Sequence, residues 1–273
     1  MSKKRVLFVT QEMNPYTNLT EVSKIVKKLP QYTQESGMEI RVLMPRFGII
    51  NERRHRLHEV VRLSGMNIIV DDDDYPLIIK VASLPGARLQ VYFLDNEEFF
   101  RRKYIFEDKD GKPFDDNQDR MVFFCKGVIE TVKKFGWPPD IIHCHGWMTS
   151  LVPFYLRTVY KDEPLFKDSK IVYSVYNNSM GDTFDKRFVE KASINHLEPE
   201  DLKQYLNGED SVNLHSGALS HTDAIIKGSE SYDDGLAKDI ESTEKPTLEF
   251  QDEESYLKAY VDFYKELLGE EAE

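Results

Sequence analysis

The run Val6–Thr10 (VLFVT) is apolar without interruption. A strand of that kind has to be covered on both faces, which points to a parallel sheet enclosed by helices. The segments that follow agree. Leu19–Gln34 carries Val22, Ile25, Val26 and Leu29 at helical spacing, and Met38–Pro45 (MEIRVLMP) is a second strand entered through Gly37. A strand, a helix and a parallel strand form one right-handed crossover unit.

Four strand-like runs then occupy Leu57–Asp95: LHEVVRL, MNIIV, LIIKVASL and LQVYFLD. Turn signals separate them at Ser64-Gly65, Asp71–Pro76 and Pro85-Gly86. Beyond them the alternation resumes. A helix is predicted over Asn117–Phe135, stopping at Gly136 with Pro138 and Pro139 behind it. DIIHCH is a strand, Thr149–Tyr160 a helix and Lys170–Tyr176 a strand. Shorter helices fill Phe184–Gly217, Ala224–Lys227 is the last strand, and Tyr232–Asp239 is helical. The polar stretch Ile240–Phe250, with Pro246, reads as a linker before a helix bearing Leu257, Tyr260, Val261, Tyr264, Leu267 and Leu268 on one face. The fold class is therefore α/β, a Rossmann-like three-layer sandwich with a mainly parallel sheet and a β-rich insert.

Charge and cysteine content narrow the function. Against 36 Lys and Arg stand 48 Asp and Glu, a net −12, which repels phosphate backbones and excludes general nucleic-acid binding. The two cysteines, Cys125 and Cys144, form no C-x-x-C, so neither a disulfide framework nor a zinc site is expected. No apolar run approaches the ~20 residues of a membrane helix. The basic start MSKKR is followed by too short an apolar run for an export signal, so a cytoplasmic, membrane-free protein is expected.

Local motifs are sparse. Asp71–Asp74 lacks the spacing of a calcium loop and reads as a solvated turn. Arg53, Arg54, His55 and Arg56 read as a solvated helix face. In His143-Cys144-His145, alternation puts both imidazoles on one face, and with no third ligand nearby they read as structural. The loop after the first strand, QEMNPYTNLTE, has no glycine to bring backbone amides up to a phosphate. Asn18 is its expected N-cap, with Glu21 three residues on as in a capping box. No Gly-x-Ser-x-Gly, His-Glu-x-x-His or Walker pattern occurs, and no metal or cofactor is expected.

The order of segments resembles the glycogen/starch synthase family that uses ADP-glucose. RVLFVTQEMNPY, Leu29-Pro30 and RVLMPRFG are similar to its first strand–helix–strand unit. VYFLDNEEFF, DNQDRMVFFCKGVIE, GWPPDIIHCHGWMTSLVP, KIVYSVYNN and HSGALSHTDAIIKGSESY follow in the family's order. YLKAYVDFYKELLG is similar to the closing helix of a complete synthase. The resemblance implies one half of a GT-B architecture. Residues 1–240 would be the synthase-like domain, 241–251 a linker, and 252–269 a helix packing back. The family's donor-binding domain would be absent between Glu230 and Asp252.

The departures fall on functional positions. The family's Lys-x-Gly-Gly loop lies over Asn18–Glu21, placing Asn18 at the lysine and Thr20 and Glu21 at the glycines. In its His-x-His-Asp-Trp-His pattern, Gly146 takes the aspartate position and Met148 the last histidine, while His143, His145 and Trp147 are retained. In its Ile-His-Asn motif, Tyr176 replaces the histidine and Asn177 is kept. All ten are expected to line a cleft, with none in a catalytic role. Glucosyl transfer needs charge compensation at the leaving diphosphate, and losing one such group commonly costs ~10²–10³ in rate. The reading favoured is a degenerate, non-catalytic glucan-binding or regulatory protein of glycogen metabolism, with an α-glucan ligand and a partner protein or second copy as its partners. The alternative is a glucosyltransferase working with a partner chain or on another donor. A plain oligomerisation module is the third.

Overall fold

The uninterrupted apolar runs become the centre of the sheet. The computed structural model describes residues 3–178, 180, 183–208 and 211–270. Met1 and Ser2 of the basic start, and Glu209 and Asp210 within the span read as short helices, lie outside the described residues.

The strands are β1 Arg5–Thr10, β2 Glu39–Pro45, β3 His58–Glu59, β4 Met66–Val70, β5 Asp73–Ser83, β6 Gln90–Asp95, β7 Ile141–His145, β8 Lys170–Val175, β9 Ala224–Lys227 and β10 Thr247–Leu248. The helices are α1 Val22–Glu35, α2 Glu52–His55, α3 Glu97–Phe100, α4 Asn117–Phe135, α5 Leu151–Arg157, α6 Arg187–Ala192, α7 Leu214–His221, α8 Asp234–Glu241 and α9 Tyr256–Leu267.

The sheet runs β10-β9-β8-β7-β1-β2-β6-β5-β3, with β4 beside β5. Every pairing from β10 to β6 is parallel. β5 runs antiparallel to β6, β3 and β4. The β-rich insert is thus the antiparallel end of the one large sheet. β1 connects to β2 on one side and β7 to β8 on the other. Right-handed crossovers then put α1 and α5 on opposite faces. α9 packs with α1, and α4 and α7 pack with α5. Val6–Val9 at the centre are 0–1% exposed. α4 ends where its glycine requires: Gly136 takes a left-handed φ of 61°.

Several elements differ from expectation for identifiable reasons. LHEVVRL forms a strand only at His58–Glu59, because the Ser64 hydroxyl accepts from the Ile79 amide and breaks the ladder. The first helix starts at Val22, three residues later than its periodicity suggests. Asn18 does not cap it; its Oδ1 accepts from the Ser23 hydroxyl, and Glu21, the N-cap, makes no side-chain cap bond. The helix read over Thr149–Tyr160 is α5, shorter at both ends and preceded by one 3₁₀ turn, Trp147–Thr149. The supposed linker 241–251 contains β10, which extends the sheet along β9.

α9 buries Tyr256, Tyr260, Val261, Phe263 and Tyr264. Each such side chain contributes ~1.5–3 kcal/mol. Ending the chain at Phe250 should therefore lower the melting temperature by more than about 10 °C or abolish folding. Calorimetry giving an unchanged transition would show that α9 contributes nothing to the core.

Candidate functional site

In open α/β sheets, ligands bind beyond the carboxyl ends of the strands, where the connections diverge. Here that point lies between β1 and β7. It is bridged by protein: the Gln11 carboxamide oxygen accepts from the Met148 amide at 3.1 Å. Gly146 makes this approach possible. Its φ is 85°, and a Cβ there would stand 2.5 Å from Gln11 Oε1. Trp147 is buried between Phe106 and Phe184, at ring distances of 4.8 and 5.8 Å. Met148 is fully buried, and its carbonyl accepts from the Cys125 thiol. Burial pushes both thiols, Cys125 and Cys144, well up from their ordinary range, so both stay protonated.

The two histidines of β7 sit 3.7 Å apart, ring centre to ring centre, on one face as alternation requires. Both are 0% exposed. The His143 nitrogens meet the Tyr264 hydroxyl at 2.6 Å and the Ser174 hydroxyl at 2.7 Å. His145 Nδ1 meets the Tyr176 hydroxyl at 2.9 Å, and its Nε2 has no partner among the described residues. Desolvation, and for His143 also the neighbouring His145, disfavours the imidazolium. His143 lies well below the usual range and His145 is pushed down to about 3. Both are neutral at pH 7. Among the described residues no group of three or more His, Cys, Asp or Glu is placed to hold a metal.

The loop after β1 closes on itself. The Glu12 carboxylate, 0% exposed, accepts from the Leu19 amide at 2.9 Å, the Thr20 amide at 2.8 Å and the Thr20 hydroxyl at 2.6 Å. These amides are the donors a phosphate would need. An internal anion already holds them, while the exposed Asn18 and Glu21 side chains flank the loop.

An open cavity lies beside this loop. A cleft of about 330 Å³, within the range of small-molecule sites, runs between the start of α1, the end of β9 and the approach to α9. Glu21, Glu230, Asp252 and Glu253 line it against Lys24 and Lys28, with Phe250, Tyr256 and Tyr260 as its aromatic wall. Lys28 is 3.2 Å from Glu253. The cleft is thus acidic by two charges.

The sequence-derived positions are brought together only in part. Glu21 lines the cleft, and the exposed Asn177 borders it through the hydrogen bond its backbone N–H donates to Ser229 Oγ. His143, His145, Gly146, Trp147, Met148 and Tyr176 do not line it. They are buried because the β1–β7 crevice is filled with side chains, and Tyr176 packs behind Gly228 in the cleft wall. Sequence reasoning missed Gln11, Glu12 and the Tyr264 hydroxyl. The one available signal was two polar side chains directly following an apolar strand.

Residues 5–245 match the family model described as the starch synthase catalytic domain. The chain belongs to that family. Curated glycogen synthases agree. That of Chlorobaculum parvum is 36% identical over 240 residues, covering 88% of this chain and 48% of the relative. That of Chlorobaculum tepidum is 37% identical over 240 residues, covering 87% and 48%. The chain spans about half the length of the curated relatives it matches. Among solved structures, the catalytic domain of starch synthase IV from Arabidopsis thaliana, bound to ADP and acarbose, superposes with a TM-score of 0.73. Its sequence identity is 20%, and the match covers 92% of this chain and 52% of that one. The fold is that of a starch synthase catalytic domain, mostly parallel α/β, as one half of a GT-B architecture requires.

Two outcomes are expected for this synthase-type domain. Gly146→Asp should cost ~1–3 kcal/mol in denaturant unfolding, because it forces a side chain into left-handed backbone and against Gln11. A wild-type midpoint would show that the bridge yields freely. Second, the neutral imidazoles carry pKa values below their unfolded value near 6.5. Their stabilisation is complete above that pH and declines below it. Between pH 7 and pH 5.5 stability should fall by on the order of 1 kcal/mol for each imidazole. A flat urea-unfolding profile over that window would mean that they are protonated in the folded state.

Proposed function

We propose that this chain is a non-catalytic member of the starch synthase catalytic domain family. In this reading it binds α-glucan and serves glycogen metabolism in the cytoplasm as a glucan-binding or regulatory protein. One observation carries the reading. The first-loop amides that would meet an anionic donor are held by the Glu12 carboxylate. Around them, Asn18, Thr20 and Glu21 supply no cation. A nucleotide diphosphate brought there would meet the Glu12 and Glu21 carboxylates, with the Leu19 and Thr20 amides already engaged.

The cleft supports the saccharide half of the reading. Its carboxylates can accept from sugar hydroxyls, and the 41% exposed Phe250 offers an apolar face to a sugar ring. Of the two ligands of the Arabidopsis domain, the saccharide suits this acidic cleft and the nucleotide does not.

Calorimetric titration tests the reading. Maltoheptaose should bind, and Phe250→Ala should weaken that binding by about tenfold or more, a loss equivalent to ~1.4 kcal/mol. ADP-glucose and UDP-glucose should give no heat. Glucosyl transfer from ADP-glucose by this chain would refute it. Tight ADP-glucose binding without turnover would instead favour a transferase that requires a partner chain.

A further inference from the structure

The antiparallel end of the sheet leaves one edge uncovered. β4 pairs with β5 alone. The Asp71-Asp72 turn between them, with φ of 49° and 68°, is a two-residue hairpin turn with both central residues left-handed. Such a turn makes Val70 and Asp73 a hydrogen-bonded pair. Alternation then does the same for Ile68 with Tyr75 and Met66 with Leu77. Asn67 lies opposite Pro76, which has no N–H to offer. The amides and carbonyls of Asn67 and Ile69 therefore point away from β5, and they have no backbone partner among the described residues. No lysine or proline protects the strand, MNIIV. Ile69 is 51% exposed, and Val61, in the turn before the strand, is 77% exposed.

Charge along this edge is polarised. Asp71, Asp72, Asp73 and Asp74 are exposed at the hairpin end, and none forms an ion pair among the described residues. At the other end, the exposed Arg62 also has no ion pair. Next to the start of β4 the exposed Lys134 donates to the Ser64 carbonyl at 3.3 Å.

We infer that two copies of this chain pair antiparallel through β4 about a two-fold axis, continuing the sheet from one copy into the other. The register places Ile68 on the axis and Asn67 of each copy opposite Ile69 of its partner. The outward amides and carbonyls then bond in reciprocal pairs. The same register sets the Asp71-Asp72 turn of each copy against Gly65 and Ser64 of the other, where the exposed Lys134 donates to the Ser64 carbonyl. A second copy is the occupant because this edge is complementary to itself in both hydrogen bonding and charge, as an isologous contact requires. A foreign strand of either charge would match only one end. A five-residue pairing is small, so the dimer is transient and loosens in salt.

Sedimentation of the full chain across a concentration series tests this. A concentration-dependent dimer at low salt is expected. Ile69→Pro removes an outward N–H without touching the β5 ladder. It should weaken dimerisation by about tenfold or more and leave the thermal transition in place. Lys134→Asp and Asp72→Lys should each weaken self-association, since each sets like charges together at both ends of the pairing. Mixed one to one, those two variants should form a heterodimer, because both charged ends are then matched. A chain that stays monomeric at every concentration would overturn the inference. So would a dimer indifferent to Ile69→Pro, or a mixture of charge variants that stays monomeric.

Discussion

The Tyr264 hydroxyl reaches across 121 positions of sequence to the imidazole of His143, and the architecture turns on that bond. β7 lies mid-sheet with every residue buried. A polar ring there must stay neutral and find partners inside the protein. One nitrogen is met from the adjacent strand by Ser174 and the other from α9. The last helix is therefore fixed to the sheet by a polar demand of the central strand as well as by its own apolar stripe. Phe8 sits beside the pair, 6.0 Å from the His143 ring and 6.4 Å from the Tyr264 ring, which excludes water from the bond.

The same logic closes the rest of this end of the sheet. Gln11 spans from β1 to the Met148 amide, Glu12 gathers the amides of the loop ahead of α1, and Tyr176 fills the space behind Gly228. In each case a side chain of the domain occupies a donor or a volume that an external ligand would use. What remains open is displaced toward α9, where the aromatic wall belongs to the final helix and its approach. The proposed change of ligand, from nucleotide to neutral sugar, follows from this displacement and from the charge around it.

How far the sequence carried depended on whether a feature was local. VLFVT, IIHCH and KIVYSV announce buried strands because their neighbours in sequence are apolar, and Gly136 marks the end of α4 because a left-handed residue is needed there. β10 could not be seen, since Thr247 and Leu248 become a strand only by meeting Ile225 and Ile226. Three of the four runs of the insert read correctly as strands, but periodicity says nothing of partners, so their merger with the main sheet was invisible. Likewise the family pattern located Gly146, Met148 and Tyr176 without revealing their depth. Glu12 escaped notice because two of the three groups its carboxylate meets are main-chain amides, which every residue but proline carries.

Burial of the two thiols has a practical side. Cys125 and Cys144 are the only cysteines of the chain, and both are enclosed and held protonated. Alkylating reagents attack the thiolate of an accessible sulfur. The folded protein therefore presents a chemically silent surface to maleimides and iodoacetamides. One cysteine introduced at any exposed position would be its single point of attachment for a dye, a spin label or a solid support, with both native residues left in place.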